Sequence, residues 1–196
     1  MTTAPRPTLQ LDPQALEFGS FTTRLLAHLI DTFLLLPLGL LTYYFTVERK
    51  VLWAVLTVAT LSALYKPLME GYLGWTFGKK LLRLRVVNQA DLGPVTYNQA
   101  FLRYVPWALA FFTSVFVTVR LFENPDFAEV TDYVTYLEFM QDNSLSKSYL
   151  VSLLGNAPMF SAFFIVLDPM RRALHDRLGE TYCIRLPKIE TPTSSH

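Results

Sequence analysis

Only one cysteine, Cys183, occurs in the 196 residues, which excludes an internal disulfide framework and leaves packing near the tail as its plain role. Histidine is nearly as scarce: His28, His175 and His196 are too few, beside one thiol, for a metal site. No Gly-x-Ser-x-Gly, His-Glu-x-x-His or Cys-x-x-Cys pattern occurs, so no nucleophile and no cofactor site can be named. The chain is expected not to be an enzyme. Charge is thin at 17% of residues, and 17 basic side chains nearly cancel 16 acidic ones, which gives no reason to expect nucleic acid as a partner. A cleavable leader is not expected either. Met1 to Phe18 carries Pro5, Pro7 and Pro13 with Asp12 and Glu17, unlike a cleavable signal, so the first apolar run reads as a retained span.

What is abundant is apolar surface: 52% of residues are hydrophobic and 14% aromatic, with a mean hydropathy of +0.29. That excess points to lipid. Four apolar runs, at about 21–45, 51–73, 100–122 and 149–167, approach the roughly 20 residues that cross a hydrocarbon core as helix. Barrel strands would alternate in polarity instead of running apolar throughout. The expected fold is an all-α integral membrane protein, a four-helix bundle. Pro106 and Pro158 are expected to bend the third and fourth spans.

Lys79, Lys80, Arg83 and Arg85 follow the second span, and Arg171, Arg172, Arg177, Arg185 and Lys188 follow the fourth. The positive-inside rule puts both clusters in the cytoplasm, and with them both termini. Residues 123–148 carry Glu123, Asp126, Glu129, Asp132, Glu138 and Asp142 and belong outside, with a short surface helix expected over Val130 to Met140. Residues 1–19 form a cytoplasmic lead-in, 20–186 the membrane domain, and 187–196 a disordered tail.

On the inner side, Leu82 to Val87 alternates before the turn residues Asn88 to Pro94, which reads as a small β-hairpin, and Tyr182 to Leu186 offers a further strand to that hairpin. Thr96 and Gln99 have capping-box spacing at the start of the third helix. Asp168-Pro169 reads as the start of an interfacial helix over 169–178, stopped by Gly179, with Arg171, Arg172, His175 and Asp176 on one face.

Charge inside the spans is the strongest functional signal. Arg24, His28 and Asp31 fall at i, i+4 and i+7 and so stack along one face of the first helix. An ionised carboxylate as deep as Asp31 needs a partner. Lys66 and Glu70 form an i, i+4 pair in the second span. Two readings weigh equally: an ion or proton pathway, or a static buried network that fixes helix register. Asp176 is placed to meet Arg24, and the two are expected to approach Asp31 or one another.

Gly74-Trp75-Thr76-Phe77-Gly78-Lys79-Lys80 is not a phosphate loop, because its glycines are one residue too close and no Ser or Thr follows Lys79. A turn leaving the membrane explains it. Lys80, Arg83, Arg171 and Arg172 are read as interfacial side chains meeting anionic lipid head groups.

Taken together these residues resemble the RDD family of prokaryotic membrane proteins, named for one arginine and two aspartates. Arg24 and Asp31 in Arg-Leu-Leu-Ala-His-Leu-Ile-Asp match the family's first pair, and Asp176 in Leu-His-Asp-Arg-Leu its later aspartate. Gly74, Thr76, Gly78 and Lys79, running into Arg85-Val86-Val87, match its Gly-x-Thr-x-Gly-Lys segment. The chain departs from the pattern at Gly179-Glu180-Thr181 and in its acidic outer segment. The resemblance implies a multi-pass protein of a prokaryotic inner membrane, with transport suggested for the family and cation/proton exchange for some members. An Asp31 or Glu70 carboxylate would then exchange the proton. The alternative is an adaptor or assembly factor docking a protein or lipid. Expected partners are the bilayer, its anionic head groups, and a second copy or another protein.

Overall fold

The computed structural model describes residues 16–187; the expectations for the first 15 residues and for the tail from 188 lie outside them. Among the described residues, three helices are long and apolar enough to cross a membrane. The first, α1 (Phe21–Tyr43), continues through a π-helical turn at Tyr44–Glu48; α2 is Leu52–Leu73, and α4 is Tyr97–Phe122. Between them lies the short α3 (Phe77–Leu81). The acidic segment carries a 3-10 turn at Pro125–Glu129 and the surface helix α5 (Tyr133–Asp142), close to where the sequence placed one. Next come α6 (Tyr149–Gly155), α7 (Ala157–Leu167) and the five-residue α8 (Leu174–Leu178).

A fourth crossing exists if α6 and α7, bent by 61° at their junction, form one span. The run expected to be one helix is broken because Pro158, at the start of α7, has no N–H to return to the carbonyl one turn earlier. Asn156 leaves helical geometry there (φ −95°, ψ 12°), and its side-chain amide donates to the Ser152 carbonyl at 2.8 Å. By contrast Pro37, Pro67 and Pro106 lie within continuous helices.

Local signals set the helix starts. The Ser20 hydroxyl accepts from Thr23 N–H ahead of α1, and Thr96 with Gln99 forms a full capping box ahead of α4. At the α5 end of the bundle, Val47, Leu121, Phe127 and Val130 form a small core, against which Tyr43, Phe122 and Phe139 pack. At the other end sits a three-stranded antiparallel sheet of β1 (Glu17–Phe18), β2 (Leu84–Asn88) and β3 (Thr181–Arg185), in the order β1-β3-β2.

The expected hairpin is therefore not one. The alternation in β2 is real, but its partner is β3, with Val86 opposite Cys183, and β3 in turn pairs Phe18 through Ile184. Leu84, Val86, Cys183 and Ile184 are all buried by this arrangement. No strand returns after the turn at 89–93, because Thr96 is already committed to capping α4.

The interfacial helix expected over 169–178 is shorter as well. Instead of capping a helix at Pro169, the Asp168 carboxylate accepts from Met170 N–H at 2.7 Å and grips the Arg172 and Arg177 guanidinium groups. Arg171 takes a left-handed φ of 53° in the resulting turn, and helix resumes only at Leu174. Arg171 and Arg172 thus share no helix face with His175 and Asp176.

Candidate functional site

The site is built where α1 begins, α2 ends and α4 begins. Gly74 ends α2 with a left-handed φ of 78°, a conformation that favours glycine, and its N–H donates to the Glu70 carbonyl. The chain then turns, Thr76 caps α3, and α3 lies against α1. The contact is close enough that a Cβ on Gly78 would sit 2.0 Å from the Ala27 carbonyl oxygen. The approach lets Gly78 N–H donate to Asp31 Oδ1 at 2.7 Å. Tyr65 donates its hydroxyl to the same oxygen at 2.9 Å, and Thr76 donates to Oδ2. Asp31 is thus held by three neutral donors, and its partner is a helix start, not a cation.

Arg24 turns away from Asp31 and meets Asp176, as one of the two expected outcomes required. Its guanidinium also donates to the Gly19 carbonyl at 3.0 Å and the Arg171 carbonyl at 2.7 Å. Asp176 is fully buried and receives Arg103 on its other oxygen. Arg103 reaches Glu70 Oε2 at 3.2 Å and the Thr181 hydroxyl, and Lys79 Nζ donates to Glu70 Oε1 at 2.6 Å. The ion pairs thus run Arg24, Asp176, Arg103, Glu70, Lys79, joining α1, α8, α4, α2 and α3. Gly179 lets α8 close on α4, since a Cβ there would come within 2.5 Å of the Arg103 side chain.

Sequence reasoning missed Arg103. The available signal was an arginine near the start of the apolar third span, where charge is costly unless paired. The expected Lys66–Glu70 pair is not made directly. Lys79 and Arg103 occupy both Glu70 oxygens, and Lys66 Nζ lies 3.0 Å from the centre of the Trp107 ring, a cation–π contact. Among the described residues, Lys66 and His28 make no side-chain hydrogen bond or ion pair. Arg85 and Lys80 flank Trp75, with Arg85 5.3 Å from its ring centre. Arg83 adopts a left-handed φ of 56° and accepts Leu186 N–H on its carbonyl. Lys80, Arg83 and Arg171 are exposed.

Outside the spans, burial opposes ionisation of Asp176, but Arg24 and Arg103 outweigh it and hold the carboxyl well below the usual range. Burial, reinforced by Arg103, Lys66 and Lys79, pushes His175 well below its ordinary 6.5 against the pull of Asp176. Its ring is therefore neutral. His175 N–H donates to the Ser161 hydroxyl oxygen at 3.0 Å, and that hydroxyl lies 2.8 Å from His175 Nδ1.

Beside the ion-pair chain is a cavity of about 1050 Å³, walled by α1, α2, α4, α6 and α7. Its charged and histidine side chains are Arg24, His28, Asp31, Lys66, Lys79 and His175; the rest is largely apolar. Among the described residues no group of three His, Cys, Asp or Glu side chains gathers as metal ligands would. The arrangement offers a rigid scaffold of satisfied carboxylates and, facing the cavity, two titratable side chains without a bound acceptor.

A family model described as the RDD family matches residues 18–180, most of the chain. The chain belongs to that family. No curated protein and no solved structure matches it.

Proposed function

We propose that this RDD-family chain is a transport-associated membrane protein whose working site is the cavity among α1, α2, α4 and α7, with proton movement through His28 and Lys66. The cavity carries the reading: about 1050 Å³ of space inside apolar helices, with ionisable groups on its wall. Intramembrane ionisable groups facing a cavity characteristically mark ion and proton paths. The carboxylates are a weaker choice than the sequence suggested. Asp31 is held by three donors and Glu70 by two cations, so protonating either carboxylate would weaken the contacts that fix it. His28 and Lys66 replace them in that role.

The end bearing the sheet collects Lys79, Lys80, Arg83, Arg85 and Arg171, and the opposite end Glu123, Asp126, Glu129 and Asp132. By the positive-inside rule the sheet faces the cytoplasm of a prokaryotic cell, with four spans and both termini inside. Lys80, Arg83, Arg171 and Arg172 then meet anionic head groups.

Reconstitution in liposomes with an interior pH dye tests the reading. Proton flux under an imposed ion gradient should exceed that of empty liposomes and fall to their level with Ala162→Trp, which fills the cavity from α7. Equal flux from wild type and Ala162→Trp refutes it.

One observation favours the adaptor reading: α5 buries none of its residues and exposes Tyr133, Val134 and Leu137. Replacing these three by Ser removes a crosslinked partner in cells if α5 docks one.

A further inference from the structure

We propose that the cavity holds an anionic lipid drawn sideways from the surrounding bilayer, its head group on Lys66 and His28 and its tail between α1 and α7. The inference deepens the transport reading and rests on it, because it names what the cavity takes.

Charge is the first ground. Around the cavity and the adjoining ion-pair chain stand four cations, Arg24, Lys66, Lys79 and Arg103, against three carboxylates, Asp31, Glu70 and Asp176. Arg24, Lys79 and Arg103 each touch a carboxylate. Lys66 alone of the four does not, and lies over the Trp107 ring at the cavity wall. An ammonium in hydrocarbon surroundings calls for an anion, and one negative charge balances this set. A cation as occupant would meet an excess of its own sign.

Shape is the second. The volume is just above the ~300–1,000 Å³ common for ligand pockets, and too large and too apolar for a small ion. Packing leaves a way in. α1 packs chiefly on α2 and α3, and α7 on α4 and α8. Leu25 of α1 and Met159, Phe160 and Phe163 of α7 line the cavity yet are exposed, at 43%, 74%, 52% and 61%. The wall between the two helices is therefore incomplete, and its rim is apolar, as an opening toward acyl chains requires. The broken junction extends this space: a Cβ on Gly155, which also lines the cavity, would meet nothing within 4 Å. An apolar tail fills what a soluble anion would leave empty.

Trp107 is the reporter. The full chain carrying Trp53→Phe and Trp75→Phe retains one indole, against the cavity. In phosphatidylcholine vesicles, trace anionic lipid with brominated acyl chains should quench Trp107 saturably, and brominated phosphatidylcholine at the same fraction should not. Lys66→Gln should weaken the apparent affinity about tenfold, the loss expected for a charged hydrogen bond, and Lys66→Arg should restore most of it. Restoration by Arg separates loss of charge from misfolding. Equal quenching by the two lipids, or no effect of Lys66→Gln in protein with wild-type melting, overturns the inference. So does displacement by inorganic phosphate alone, which would make the ligand a free anion. Unselective quenching with Ala162→Trp-sensitive flux refutes the lipid and leaves the transport reading standing; selective quenching without flux does the reverse.

Discussion

Gly78 N–H and Asp31 Oδ1 lie 2.7 Å apart, and that hydrogen bond exists because glycine lets α3 touch the Ala27 carbonyl of α1. The glycine of α3 and the aspartate of the first span are two halves of one contact.

Gly78→Ala should therefore be among the most damaging single substitutions. The added methyl falls 2.0 Å from a backbone oxygen, so α3 must lift and Asp31 loses a backbone donor. Overpacking and a lost charged hydrogen bond together suggest about 3 kcal/mol. Thermal melting of the detergent-solubilised protein should show a clear drop in midpoint; an unchanged melt contradicts the contact.

Asp31→Asn should cost far less than Asp31→Ala. The amide oxygen can still accept from Gly78 and Tyr65, and the Thr76 hydroxyl can rotate to accept from the amide nitrogen. About 1 kcal/mol is expected for Asn and about 3 kcal/mol for Ala, which strands buried donors. If Asn melts as low as Ala, ionisation of Asp31 matters more than its shape.

Arg103→Met should destabilise by about 3–5 kcal/mol, as breaking one member of a buried ionic set does. Asp176 would keep Arg24 and Glu70 would keep Lys79, but each carboxylate loses a cation. A double-mutant cycle with Asp176→Asn, read by protease resistance, should show strong coupling. Additivity would mean the two side chains act independently.

Acid should weaken the fold in two stages. His175 is held neutral well below 6.5, so the unfolded chain takes up its proton first, and stability present above about 6.5 declines as pH falls. Asp176, held well below 3.8, adds stability above that value which is lost only at stronger acid. The melting midpoint should fall between about pH 7 and pH 5, and His175→Gln should flatten that arm. A wild-type midpoint flat over that interval would contradict a neutral buried ring.

Much of the architecture was legible because membranes impose simple rules. Runs as long as Leu52–Leu73 must be helical in lipid, and caps such as Thr96 with Gln99 act within one turn. The strand alternation around Val86 could be read too, and so could a further strand over 182–186; what could not be read is that this strand pairs β2 directly in place of a hairpin arm. Residues nearly a hundred positions apart pair at Val86 and Cys183, and the register follows from the packing of the whole bundle. Asp168-Pro169 misled for a related reason: an aspartate that caps a helix and one that clamps two arginines look alike until the arginines are placed.

The sequence by itself determined an apolar multi-helix chain with charge embedded in its spans, and it named Arg24 and Asp176 as a meeting pair. The first follows from hydrophobicity and helical period, which are local, and the second from both side chains standing at the same end of the bundle. Only the tertiary structure decided how the charges divide: Arg103 at the centre of the ion pairs, Asp31 on a helix start, Lys66 left to an aromatic ring. A charge buried among helices takes whichever partner the packing brings within reach, and packing is set by all the helices at once.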